Sequence, residues 1–117
     1  IGLEFDPSHL YWQRIDIVRA LRRFGSRVYA FHAKDAEITS SQAEECGIFG
    51  KQLPGLRDWR YRLPGWGGID WREVFKALYD AGYDGPVLIE NEDPFFTGER
   101  RSMGLLKARD FLRPFMV

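Results

Sequence analysis

Three stretches of the 117-residue chain end an apolar run in residues able to bind a metal or move a proton. They read Phe5-Asp6-Pro7-Ser8-His9, Phe31-His32-Ala33-Lys34-Asp35 and Ile89-Glu90-Asn91-Glu92-Asp93. Asp6, His32 and Glu90 stand at equivalent places, each where its run stops. Two carboxylates and an imidazole supply oxygen and nitrogen donors without a thiolate. Such a set suits one divalent metal, Mn²⁺, Mg²⁺, Zn²⁺ or Co²⁺, and does not choose among them. Taken singly, each residue has an ordinary structural role: a turn Asp before proline, a hydrogen-bonded strand-end His, an acidic loop start. Their recurrence in successive runs is what points to a shared site.

Other residues are weaker candidates. Arg60 and Arg62 flank Tyr61 in an extended piece, so they should point the same way and clamp a phosphate or sugar oxygen, or form a solvated pair. Lys34 would neutralise a developing oxyanion or simply pair with Asp35. Gly65-Trp66-Gly67-Gly68 before a helix is able to cradle an anion with backbone amides, though a flexible turn is the plainer reading. Cys46 reads as a small packing residue. No Gly-flanked serine or Ser-His-Asp order points to a nucleophile.

The elements that must position these groups follow from periodicity. Ile1 to Phe5 is a short strand stopped by Pro7. Asp16 caps a helix whose Ile17, Val18, Leu21 and Phe24 recur at helical spacing, with Gly25 expected as a left-handed cap. Val28 to Phe31 reads as a second strand ending at His32. Residues 33 to 69 read as a long irregular stretch, with a short helix over Ser40 to Glu45 ended by Gly47. Its aromatics, Trp59, Tyr61 and Trp66, favour an ordered lid or wall over disorder. Asp70 and Glu73 form a capping box ahead of Trp71, Val74, Phe75 and Leu78, and Gly82 closes that helix. Pro86 to Ile89 is a third strand. Leu105, Leu106, Ala108, Phe111, Leu112 and Phe115 mark a last helix, loosened by Pro114. Strands alternating with helices predict an α/β fold of three consecutive βα units with parallel strands. The carboxyl ends of such strands share one edge, where ligands bind.

Composition narrows the partners. Lys+Arg and Asp+Glu are 17 each, and 44% of residues are hydrophobic, with 9 Phe, 5 Tyr and 4 Trp. That is a globular balance, and the absence of a basic excess argues against nucleic acid. No apolar run approaches the ~20 residues of a membrane helix, so no membrane partner is expected. A single cysteine, with no leader visible, makes the cytoplasm the default compartment. The chain starts at Ile1, already in a strand, which hints at missing upstream sequence.

The motifs together resemble the sugar phosphate isomerase/epimerase family, the xylose-isomerase-like or AP-endonuclease-2-like TIM barrels. The matching pieces are Asp6-Pro7-Ser8-His9, Phe31-His32-Ala33-Lys34-Asp35, Arg62-Leu63-Pro64-Gly65-Trp66-Gly67-Gly68-Ile69-Asp70-Trp71 and Ala81-Gly82-Tyr83-Asp84-Gly85-Pro86-Val87-Leu88-Ile89-Glu90, in the family's order. The resemblance implies that residues 1–117 form a single partial barrel domain, strands six to eight of the (β/α)8 architecture. It implies a metal held by Asp6, His32 and Glu90, with a fourth ligand, a Glu of strand five, absent from this chain. It implies Glu90 as a catalytic carboxylate, and His9, Lys34, Arg62 and, second, Arg60 as groups that meet the substrate.

The implied activity is isomerisation or epimerisation of a small sugar or sugar phosphate, by proton transfer next to a carbonyl through a metal-stabilised enediolate. This chain would supply only part of the site and be inactive alone. Alternatives are a catalytically silent fragment or assembly module, and metal-assisted phosphodiester hydrolysis, for which two histidines are few. A barrel needs about 250 residues, and three parallel strands leave open edges. Self-association, or the missing N-terminal part of the barrel, is therefore expected to cover them.

Overall fold

A computed structural model describes residues 1–39 and 58–117. In chain order its elements are β1 (Leu3–Phe5), α1 (Pro7–Tyr11), α2 (Ile17–Phe24), β2 (Val28–Ala33), β3 (Asp35–Ile38), β4 (Trp59–Arg62), α3 (Trp71–Asp80), β5 (Val87–Ile89) and α4 (Arg101–Leu112). The expected short helix over Ser40 to Glu45, its stop at Gly47, and Cys46 lie outside the described residues.

β1, β2 and β5 form one sheet in that order, and both pairings are parallel. This is the predicted α/β arrangement. One face of the sheet meets α2 and α3. Phe31 is its centre: its ring stacks on Phe5 at 6.1 Å and tilts against Phe75 at 6.0 Å. Leu21 of α2 and Trp71, Val74, Phe75 and Leu78 of α3 close over them. The opposite face carries Glu4, paired with Ala30, and His32, paired with Leu88. Leu88 is 46% exposed there, an open apolar position on the face that would point into a barrel.

The helix starts follow from capping. Asp16 accepts the Arg19 amide at 2.9 Å, and Asp70 accepts the Glu73 amide at 3.2 Å. Gly82 follows α3 at a φ of +82°. Gly25 differs from expectation: its φ is −58°, and it opens a 3₁₀ turn, Gly25–Arg27, that runs directly into β2. A Cβ there would stand 2.4 Å from the Ala81 methyl, so close helix–helix approach, not a left-handed turn, requires the glycine. Helix α4 buries a narrower stripe than its pattern predicted. Gly104, Ala108 and Leu112 face inward, while Leu106 and Phe111 are half-exposed. Pro114 sits in a closing 3₁₀ turn, Arg113–Phe115. Pro7, expected only to stop β1, also opens the short α1.

The largest correction lies in the stretch read as irregular. β3 and β4 pair antiparallel, Asp35 with Arg62 through Ile38 with Trp59. The ribbon is anchored by Asp35, which is fully buried. Its carboxylate accepts the amides of Ala36 (2.9 Å), Gly65 (3.1 Å) and Ile69 (3.1 Å), and the Trp71 indole N–H (2.8 Å). The glycine-rich loop does cradle an anion, and the anion is the chain's own. A Cβ at Gly67 would fall 2.2 Å from Asp35 Oδ1, so no side chain fits there. Burial pushes the Asp35 carboxyl above its ordinary value, while the bonds from Trp71, Ile69, Ala36 and Gly65 pull it down.

Asp35→Asn should therefore be costly. An amide group must aim N–H at one of four donors, leaving buried groups unpaired at about 1–3 kcal/mol each. Urea unfolding followed by tryptophan fluorescence is expected to show a loss of at least about 2 kcal/mol. An unchanged midpoint would mean that this carboxylate does not hold the loop.

Candidate active site

Each candidate ligand is set by its strand end. Asp6 is the N-cap of α1. Its Oδ1 accepts the Ser8 amide at 2.8 Å and the Ser8 hydroxyl at 2.6 Å, with Pro7 at the first helical position. His32 lies within β2. Glu90 follows β5, and its amide extends the ladder to the Ala33 carbonyl at 3.2 Å. One ligand atom from each of Asp6, His32 and Glu90 lies within 4.8 Å of the others. They line a cavity of about 460 Å³ shared with Glu4, His9, Lys34 and Glu92.

Lys34 is the charge at its centre. It is 1% exposed, and its Nζ lies 2.8 Å from Glu92 Oε1, 3.1 Å from Asp6 Oδ2 and 3.1 Å from Glu90 Oε1. The pairing with Asp35 considered from sequence does not form. Successive strand residues point oppositely, so Lys34 faces the cavity and Asp35 faces the loop. Burial alone would lower the Lys34 pKa, but its bonds to Glu92, Asp6 and Glu90 hold it well above the ordinary value. For Glu90, burial pushes up, and the bonds from His32 and Lys34 outweigh it, leaving its pKa below the ordinary Glu value. Glu90 is thus a carboxylate, 2.9 Å from His32 Nδ1.

The donor set fits a divalent cation. Asp6 Oδ2 is buried and makes no hydrogen bond of good geometry, although Lys34 Nζ is an ion-pair neighbour. It is a lone pair aimed into the cavity, beside an imidazole and an ionised carboxylate.

His9 sits at the rim, its Nε2 3.4 Å from Asp6 Oδ2 and its Nδ1 3.0 Å from the Tyr61 hydroxyl. The Tyr61 ring covers the Lys34 ammonium at 4.4 Å, a cation–π contact. Burial raises the Tyr61 pKa. Arg60 and Arg62 are placed elsewhere. Both reach Glu37, and Arg62 also meets Asp93 at 3.3 Å and the Trp66 carbonyl at 3.3 Å. With Trp66, Pro94 and Phe95 they line a second cavity of about 390 Å³. The acidic partners Glu4 and Glu92 were not singled out from sequence. Glu92 stands two residues past Glu90, and the alternation of extended chain is the signal that marks it.

A family model described as a xylose isomerase-like TIM barrel matches residues 1–115. The chain belongs to that family. It is 36% identical over 98 residues to the uncharacterized protein YfiH of Bacillus subtilis, covering 80% of this chain and 31% of YfiH. It is 33% identical over 115 residues to an inosose dehydratase of Clostridium perfringens, covering 97% of this chain and 37% of that enzyme. A solved xylose isomerase domain protein from Planctomyces limnophilus superposes with a TM-score of 0.73 at 25% identity, covering 97% of this chain and 37% of that one. The chain thus spans about a third of the length of these relatives, and its three parallel strands are part of a TIM-type barrel. No helix among the described residues is long and apolar enough to cross a membrane.

Two outcomes follow from the charge arrangement. Lys34→Met leaves the Asp6, Glu90 and Glu92 carboxylates facing one another without a counter-ion, and should cost about 3 kcal/mol in urea unfolding; a neutral substitution would show that the ammonium is dispensable. Glu90 has a lowered pKa, so its stabilising contribution is complete above the ordinary Glu value and is lost as pH falls through the lowered one. The gap in unfolding midpoint between wild type and Glu90→Gln should close on acidification, and a gap that widened would contradict that assignment.

Proposed function

We propose that this chain carries the metal-binding edge of a sugar isomerase or epimerase, one that moves a proton next to the carbonyl of a small sugar or sugar phosphate. The observation that carries the reading is the convergence of Asp6, His32 and Glu90 from three neighbouring parallel strands, with an ionised Glu90 bonded to His32 and Lys34. Asp6, His32 and Glu90 would hold one divalent metal, Mn²⁺, Mg²⁺, Zn²⁺ or Co²⁺. Bound there, such an ion polarises a carbonyl and its neighbouring hydroxyl.

The chain's own residues supply the rest. Glu90 removes the proton from the carbon beside the carbonyl, and the electron pair moves onto the carbonyl oxygen. Lys34 places a fixed positive charge beside that oxygen, beneath the Tyr61 ring. His9 meets a substrate hydroxyl at the rim. Arg62 and Arg60, in the adjoining cavity, would meet the substrate's far end. In isomerisation the proton returns to the former carbonyl carbon while the neighbouring hydroxyl proton passes to the former carbonyl oxygen; in epimerisation a second carboxylate returns a proton to the same carbon from the opposite face. That carboxylate and a fourth ligand would come from the remaining barrel strands or from a second copy of the chain, either of which would also cover the open face at Leu88. The chain alone is expected to be inactive, and its place is the cytoplasm.

Dehydration is a second reading, favoured by the inosose dehydratases among the relatives. It shares the first step: after proton removal beside the ketone, hydroxide leaves from the next carbon in place of proton return.

A barrel completed with the five preceding βα units of the Clostridium perfringens enzyme tests both. With Mn²⁺ or Co²⁺ and a ketose or inosose in D₂O, deuterium should enter beside the carbonyl, and Glu90→Gln should slow this by about 10²–10⁴-fold. A stereoisomer product selects isomerisation or epimerisation, and loss of water selects dehydration. Exchange that survives Glu90→Gln would remove Glu90 as the base.

A further inference from the structure

The exposed rim of the cavity holds a chain of contacts that the proposed proton transfer does not use. Tyr61 on β4 meets His9 on α1, and His9 meets Asp6 at the end of β1, with heavy-atom distances of 3.0 Å and 3.4 Å. The two rings meet edge-on, at 5.5 Å and 73°.

Proton bookkeeping assigns the roles. A carboxylate only accepts hydrogen bonds, and a neutral imidazole carries a single N–H. His9 Nε2 faces the Asp6 carboxylate, so the attractive arrangement puts the proton on Nε2. His9 Nδ1 is then a bare lone pair and needs a donor. The Tyr61 hydroxyl is the group beside it, and burial keeps the phenol protonated.

Tyr61 is itself held firmly. Its ring covers the Lys34 ammonium at 4.4 Å and stands edge-on to Trp59 at 5.1 Å. Trp59 in turn stacks flat on Trp12, with ring centres 4.3 Å apart and planes 7° from parallel. Trp12 is the C-cap of the helix that carries His9. The β3–β4 ribbon and α1 are therefore clasped together at the point where Tyr61 reaches His9.

We propose that Tyr61 is a positioning residue: its hydroxyl donates to His9 Nδ1 and fixes the Nε2–H tautomer, so that His9 turns an N–H and not a lone pair toward Asp6 and is not a metal ligand. With Nε2 protonated, His9 has no lone pair to offer the cavity. That N–H, 3.4 Å from Asp6 Oδ2, is left free to meet a substrate hydroxyl at the rim. The metal set then stays at Asp6, His32 and Glu90. This last step rests on the metal reading of the proposed function; the tautomer does not.

With only two histidines in the chain, long-range ¹H–¹⁵N spectra of histidine-labelled protein above the imidazole pKa decide the matter. In the wild type, His9 is expected as the Nε2–H form with an upfield-shifted, hydrogen-bonded Nδ1. Tyr61→Phe keeps the ring and removes the donor; His9 Nδ1 should then shift downfield, towards its position in solvent-exposed imidazole, while His32 stays in place. On addition of Zn²⁺, His32 should move to a metal-bound position and His9 should keep its Nε2 proton. An Nδ1–H form in the wild type, an unmoved Nδ1 in Tyr61→Phe, or loss of the His9 Nε2 proton with Zn²⁺ would each overturn the assignment. The wild-type spectrum decides alone if the variant fails to fold. Zn²⁺ that moves neither histidine counts against the metal reading, and leaves the tautomer to be judged on the first two spectra.

Discussion

A buried carboxylate has to be surrounded by donors, and Asp35 meets that demand in a way that shapes everything near it. Three backbone amides and one indole N–H converge on its two oxygens. Those donors come from the start of β3, from the glycine loop and from the first residue of α3. Satisfying one side chain thus fixes where the ribbon begins, how the loop turns and where α3 starts. Because α3 leads into β5, the same bonds help set the position of Glu90. The adjacent Lys34 points the other way and does the complementary task, gathering three carboxylates around one ammonium. Two neighbouring residues of opposite charge, with opposite facing, separate structural from chemical duty.

The balance around Lys34 also shows why the site tolerates so much acidity. Asp6, Glu90 and Glu92 would repel one another in a partly enclosed cavity, and burial would neutralise a lone carboxylate or a lone ammonium. Held together, each keeps the other charged. The raised Lys34 pKa and the lowered Glu90 pKa are two sides of that mutual support. A divalent cation would share those carboxylates with the ammonium, so the cavity is suited to positive charge before any ion arrives.

Much of this was legible in the residues themselves. The parallel strands, the capping aspartates at 16 and 70, and the meeting of Asp6, His32 and Glu90 follow from periodicity and from the rule that strand ends share an edge. What escaped was non-local. β3 and β4 are four residues each, rich in charge, and become strands only by pairing with each other across a long separation. The Asp35 cradle was invisible because its donors are mainly backbone amides, which no residue type announces. The glycine loop looked ready for a foreign anion, and only the fold shows that it is already filled. Gly25 obeyed packing against Ala81 in place of the turn chemistry its position invited. Arg60 and Arg62 did keep a common side, yet that side opens on a second cavity walled by Trp66 and Phe95.

The clasp between Trp12 and Trp59 reaches beyond packing. Two indoles this close couple their electronic excitations, so their ultraviolet transitions depend on the stack between them. The seating of the ribbon over the cavity is thereby written into the protein's own optical spectrum. Release of the ribbon from α1 on unfolding would be read there directly, without an added probe.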